Sequence, residues 1–175
     1  MTRRKLAKTG LLGMLMLLAT TGWALPPRSQ VLGLLEGRHW QLNAGEFRRL
    51  GNGTETVLQE LADDTTLTNY LRFRALEALT AFPKDQTADF LEAFSQRTSP
   101  HFARRGVEAL SRGFGRTHPQ HVQRTAAALS RHTNPQVRLS AGRALKDTAP
   151  EQFQRLMRTE PEGWVREALK QKERW

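Results

Sequence analysis

The sequence predicts an all-α fold: about four helical hairpins stacked in a row, closed at the N-terminal end by a cap. Three observations predict it. One short helical pattern recurs along the chain, an apolar segment with helical spacing lies between successive copies, and turn-forming residues mark the joins.

The clearest copy runs from Pro135 to Leu145. Val137, Ala141, Ala144 and Leu145 fall on one helical stripe, with Arg138 and Arg143 beside it. Asn134 can cap this helix, and Pro135 takes the first helical position, where a missing N–H costs nothing. Ser140, Ala141 and Ala144 are small enough for a second helix to approach closely, which predicts an inner helix. Leu71 to Leu79 repeats the pattern: Leu71 stands for Val137, Arg72 for Arg138, Ala75 for Ala141, and Ala78-Leu79 for Ala144-Leu145. Phe102 to Leu110 is looser, with Ala103 in the arginine position and Gly106 in place of alanine. The anchors Leu79, Leu110 and Leu145 are spaced by 31 and 35 residues, and a period of roughly 20 to 50 residues marks a stacked array. Trp164-Val165-Arg166 with Ala168-Leu169 reads as a shortened final copy.

Partner helices fill the intervals. Val57 to Leu61, Phe90 to Phe94, Val122 with Ala126 and Leu129, and Phe153 with Leu156-Met157 each supply apolar residues one turn apart. Asp63-Asp64, Pro83, Ser99-Pro100, Asn134-Pro135 and the residues around Pro161 supply the turns. This alternation resembles HEAT repeats, particularly the short bacterial kind whose second helix reads Val-Arg-x-x-Ala-x-x-Ala-Leu. The resemblance covers residues 54 to 175. It implies a right-handed α-α superhelix, or solenoid, used mostly as a binding surface.

Upstream, residues 1 to 24 read as a cleaved signal peptide. Arg3, Arg4, Lys5 and Lys8 form a basic start, Leu11 to Ala19 an apolar core, and Gly22-Trp23-Ala24 a cleavage site. The apolar core is shorter than the roughly 20 residues of a bilayer span. The paired arginines also suit the twin-arginine route, so the general and twin-arginine routes both stay open. These features predict a periplasmic or secreted protein without a stable membrane anchor. Residues 25 to 53 do not follow the repeat. Val31 to Leu35 is apolar, Asn43 to Glu46 reads as a capping box, and the segment is expected to fold over the open end of the first hairpin with Trp40 packed against it.

The chain has no cysteine, so its 151 residues beyond Ala24 must be held by their core rather than by disulfides. Its formal net charge of +10 includes four basic residues and no acidic ones before Leu25, which leaves about +6. Such an excess favours anionic partners, and its arginine bias favours fork-shaped contacts to carboxylates or phosphates.

Catalytic chemistry finds little support. His118, His121 and His132 suggest zinc, but at the helical rise His132 lies roughly 16 Å from His121, too far for a shared ligand set. Asp63-Asp64, Asp85, Asp89, Asp147 and Glu151 occupy turns or first helical turns, where carboxylates meet the positive ends of helix dipoles. No nucleophile motif or phosphate loop is present, and no cofactor or metal is expected.

What remains is a row of second-helix arginines: Arg72, Arg74, Arg104, Arg105, Arg138 and Arg143. In HEAT arrays the second helices line the concave side, so the resemblance turns these arginines into a basic ridge, moderated by Glu77 and Glu108 at i, i+3 spacing. The expected function is a non-catalytic exported scaffold that binds a protein, such as an acidic one, or an acidic polymer. Trp164 and Trp175 are added as exposed anchors. The alternatives, drawn from the same resemblance, are a lyase that attaches pigments to proteins and a nucleic-acid-binding module, which export disfavours.

Overall fold

The computed structural model describes residues 24–97 and 99–171, and every regular element within them is helical. In chain order these are α1 (Arg28–Leu35), α2 (Ala44–Arg49), α3 (Thr54–Asp63), α4 (Asn69–Ala78), α5 (Asp85–Arg97), α6 (Pro100–Phe114), α7 (Pro119–Leu129), α8 (Pro135–Thr148), α9 (Pro150–Thr159) and α10 (Gly163–Lys170). A 3-10 turn over Leu79–Ala81 extends α4. The fold is all-α. Apart from Ala24, the segment read as a signal peptide lies outside the described residues, as does Trp175. No described helix is long and apolar enough to cross a membrane.

The sequence fixes where helices start. Pro100, Pro119, Pro135 and Pro150 each open a helix, since proline there forfeits only an N–H that has no intrahelical partner. Thr68 and Asn134 accept hydrogen bonds from the first turns of α4 and α8, and Asn43 accepts from the Glu46 N–H at 3.4 Å. Ahead of α3 the chain turns through Gly53 at φ 83°, and a Cβ there would lie 2.2 Å from Leu25 Cδ2. Glycine is favoured by the positive φ, while the exposed Leu25 side chain can move aside.

Three hairpins follow in order: α3 packs with α4, α5 with α6, and α7 with α8. The second helices form one layer, in which α4 touches α6, α6 touches α8, and α8 touches α10, while α5 touches α7 on the other side. The last unit differs, because α9 and α10 both pack on α8. Gly142 of α8 permits this: a Cβ there would meet Leu156 of α9 at 2.9 Å and Leu169 of α10 at 2.8 Å. At the other end α1 lies against α3 and α4, and Val31, Leu35 and Phe47 are buried. Between the ends, Phe73, Phe94 and Phe102 knit α4, α5 and α6 together, with ring centroids 4.8 and 5.8 Å apart.

The arginine of the recurring Leu/Val-Arg pair has one job in three copies. Arg72 donates to the Ala62 carbonyl at the end of α3 (2.9 Å), Arg138 to the His132 and Thr133 carbonyls after α7 (2.9 and 3.0 Å), and Arg166 to the Glu160 carbonyl after α9. Each reaches from a second helix to the end of the first helix of its own unit. There it satisfies carbonyls left without intrahelical donors and opposes the negative end of the dipole. In the remaining copy Ala103 stands in that position, and close packing takes over. Gly106 of α6 approaches α5 so tightly that a Cβ would lie 2.2 Å from Ser95 Oγ and 3.3 Å from Ser95 Cα.

Candidate binding face

Six arginines were expected along the second helices, and the structure divides them. Arg74 and Arg138 are interior. Arg74 is 5% exposed; it donates to the Leu35 carbonyl and, at 2.8 Å, to the Gly37 carbonyl, closing the end of α1. Its guanidinium stacks 3.6 Å from the Tyr70 ring centroid and 5.0 Å from that of Trp40. Burial lowers its pKa from the ordinary arginine value, partly offset by Glu77. Arg138 is 8% exposed and grips the Glu160 carboxylate with two parallel bonds of 2.9 and 2.8 Å. Arg72 is tied to the Ala62 carbonyl, with its guanidinium 4.2 Å from the Phe102 ring centroid.

On the open face stand Arg104, Arg105 and Arg143, joined by Arg112, which sequence reasoning passed over. Arg104 and Arg105 lie 3.6 and 3.4 Å from Glu108, and Arg112 lies 3.7 Å from Glu77 of the neighbouring helix. Arg143 is half-buried on α8. Ser140 replaces the arginine of the earlier copies and donates to Glu108 at 2.8 Å, tying α8 to α6. Glu108 therefore meets Arg105 at the expected i, i+3 spacing, whereas Glu77 meets Arg112 of the neighbouring helix and Arg74 turns to carbonyls instead.

Between α4, α6 and the segment bearing Trp40, Arg105, Arg112 and Glu77 border a slot of about 180 Å³. Trp40, Tyr70 and Phe73 form its aromatic side; Arg105 and Arg112 stand opposite, with Arg74, Glu77 and Ala109 completing the lining. Tyr70 is 51% exposed. Trp40 is anchored through its indole N–H to the Leu34 carbonyl at 2.8 Å. Arg105 and Arg112 are seven residues apart, on one helical stripe. That spacing, and the chain's single tyrosine one turn before Arg74, are the signals in the sequence that could have located the slot. A larger opening of about 550 Å³ between α7 and α9 has Arg131, Arg155, Leu145 and Leu156 in its lining, without an aromatic wall.

The histidines fill a different role. His118 Nε2 is 2.9 Å from Asp85, and His121 Nδ1 is 2.7 Å from Glu92 and 3.7 Å from Asp89. Arg124 adds bonds of 3.0 and 2.8 Å to Glu92. Partial burial would raise the Glu92 pKa, but Arg124 and His121 outweigh it and hold the carboxyl below its ordinary value. These contacts form a charged seam between α5 and α7. His132 lies apart and accepts the Asn134 N–H. Among the described residues no three His, Asp or Glu side chains are gathered as a metal would require. Trp164 is 44% exposed at the start of α10, away from the slot. No family model, curated protein or solved structure matches the chain.

Proposed function

We propose that this protein is an exported, non-catalytic scaffold whose hairpins follow the superhelical path of a HEAT-like solenoid, and that it holds a protein partner on its second-helix face. The observation that carries this reading is the slot between α4 and α6. There exposed aromatic surface adjoins Arg105 and Arg112, whose side chains are about two-fifths exposed and whose carboxylate partners stand 3.4 and 3.7 Å away, the composition of an interface anchor. A face built on helices locked by buried clamps presents its contacts without rearrangement. The basic and apolar features of residues 1 to 24 supply the export half of the proposal and a periplasmic or secreted location.

The test uses tagged residues 25–175 as bait in envelope and secreted fractions of the host, at low and moderate salt. The scaffold reading expects one protein retained at stoichiometric level through moderate salt. Heterogeneous capture that disappears with salt would reduce the basic excess to generic attraction and sink the reading.

A further inference from the structure

We infer that the slot between α4 and α6 takes an acidic peptide, seating one carboxylate side chain between Arg105 and Arg112 and laying the adjoining apolar residue on Tyr70, Phe73 and Trp40. This rests on the scaffold reading and names the chemistry of its partner.

Charge, geometry and size lead to the same occupant. Arg105 and Arg112 project from one stripe of α6, and their side chains are 41% and 43% exposed. Neither is saturated by its internal partner. Arg105 meets Glu108 at 3.4 Å and Arg112 meets Glu77 at 3.7 Å, both longer than the 2.7 to 2.9 Å of a well-made guanidinium–carboxylate bond. The Arg105 Nε–H is buried without a hydrogen-bond partner, and its guanidinium lies 5.6 Å from the Phe73 ring centroid. An incoming carboxylate at ordinary bonding distance from the exposed ends of the two guanidinium groups would improve on the long contacts to Glu108 and Glu77. Arg74 contributes positive potential from the slot wall, but its donors are directed to the Leu35 and Gly37 carbonyls, so Arg105 and Arg112 provide the hydrogen bonds.

A carboxylate suits this balance better than a phosphate. Glu77 also borders the slot, so the net positive charge facing a ligand is small. A monoanion is neutralised there, whereas a polyanion would press against Glu77 and Glu108. The aromatic side matters equally, because a peptide carries hydrocarbon to cover it and a polyphosphate chain does not. At about 180 Å³ the slot encloses the carboxylate side chain, and the apolar neighbour lies across its open aromatic rim, where Tyr70 is exposed.

The probe is a fluorescein-labelled octapeptide carrying one Glu-Phe step among serines and glycines, titrated by anisotropy into residues 25–175 and compared with its Gln-Phe isostere and with inorganic polyphosphate. Tryptophan emission is followed with unlabelled peptide. The slot expects the acidic peptide to bind, the Gln-Phe peptide to bind at least about tenfold more weakly, and Arg105→Gln with Arg112→Gln to lose at least about tenfold while unfolding at the wild-type temperature. Tyr70→Ala should also weaken binding, and the emission change should vanish in Trp40→Phe. Equal binding of the two peptides, tighter binding of polyphosphate, or indifference to the arginine substitutions would overturn the assignment. If the envelope partner is still retained by the Arg105→Gln/Arg112→Gln protein, the slot assignment falls and the scaffold reading stands; if wild type retains no partner at all, the scaffold reading falls as well.

Discussion

Replacing Arg138 with alanine removes a guanidinium whose side chain is 9% exposed and strands a carboxylate, that of Glu160, which is 0% exposed. Four hydrogen bonds disappear: two to Glu160 and two to the His132 and Thr133 carbonyls. Breaking one side of a buried ion pair costs about 3 to 5 kcal/mol. The low end applies because Glu160 keeps the Glu162 N–H at 3.0 Å and the nearby charge of Arg166. For a chain of this size about 3 kcal/mol lowers the unfolding midpoint by roughly 6 to 12 °C, measurable by far-UV circular dichroism on residues 25–175. A second variant separates burial from charge. Arg138→Met with Glu160→Met exchanges the pair for apolar volume and should unfold closer to wild type than Arg138→Ala does. The pH dependence follows from Glu160. Burial pushes its pKa up, but Arg138, the Glu162 N–H and Arg166 together hold it below the ordinary 4.5. A carboxyl with a depressed folded-state pKa stabilises fully above its unfolded value, and that stabilisation is lost as pH falls through the folded value. Wild type should therefore lose stability below about pH 4.5 more steeply than the double methionine variant. An Arg138→Ala protein that unfolds within about 2 °C of wild type at neutral pH would refute the buried-clamp account and return Arg138 to the open face.

Three further outcomes are expected. Gly106→Ala forces a Cβ against Ser95 and should cost about 1 to 3 kcal/mol; thermal unfolding should show part of the loss restored by adding Ser95→Gly, which removes the contacted side chain. Arg74→Gln leaves the end of α1 without its donor and should cost about 1 to 3 kcal/mol, seen as faster amide hydrogen exchange confined to α1 and its neighbours; unchanged exchange there would remove Arg74 from that role. Glu92 is held below the ordinary 4.5 chiefly by Arg124 against the opposing effect of burial, so its stabilisation is present above that pH and lost below it. Glu92→Gln should flatten the acid limb of stability, and an unaltered limb would mean the seam between α5 and α7 carries no such linkage.

Helix content and order were legible because apolar spacing, proline at first turns and cap residues are local signals. Val137, Ala141, Ala144 and Leu145 announce their shared face without help from the rest of the chain, and all four are buried. The arginines were not legible in the same way. A guanidinium on a flexible stem can face water or fold back onto a carbonyl, and its position in a helical pattern does not distinguish Arg105 from Arg74. Comparison between copies would have helped: Arg72, Arg138 and Arg166 share one register position and one task. Ser140 stands where Arg74 and Arg105 stand in earlier copies, which breaks the expected row at α8. The slot escaped because Trp40 comes from outside the repeats, and only three-dimensional packing brings it to Tyr70 and Arg105.

The closures between neighbouring units also bear on modularity. One joint depends on Arg74 reaching the end of α1, the next on the close approach of Gly113 in α6 to Thr80 in the 3-10 turn after α4, another on His118, His121 and Arg124 meeting the acids of α5, and the last on Arg138 with Glu160. Each joint has a lock of different chemistry, so the units are not interchangeable parts. A duplicated copy of α5 and α6 would set its carboxylates against a helix that lacks the matching histidines. Lengthening or shuffling this chain would require new joints to be designed, unlike consensus arrays that grow by repetition of a single interface.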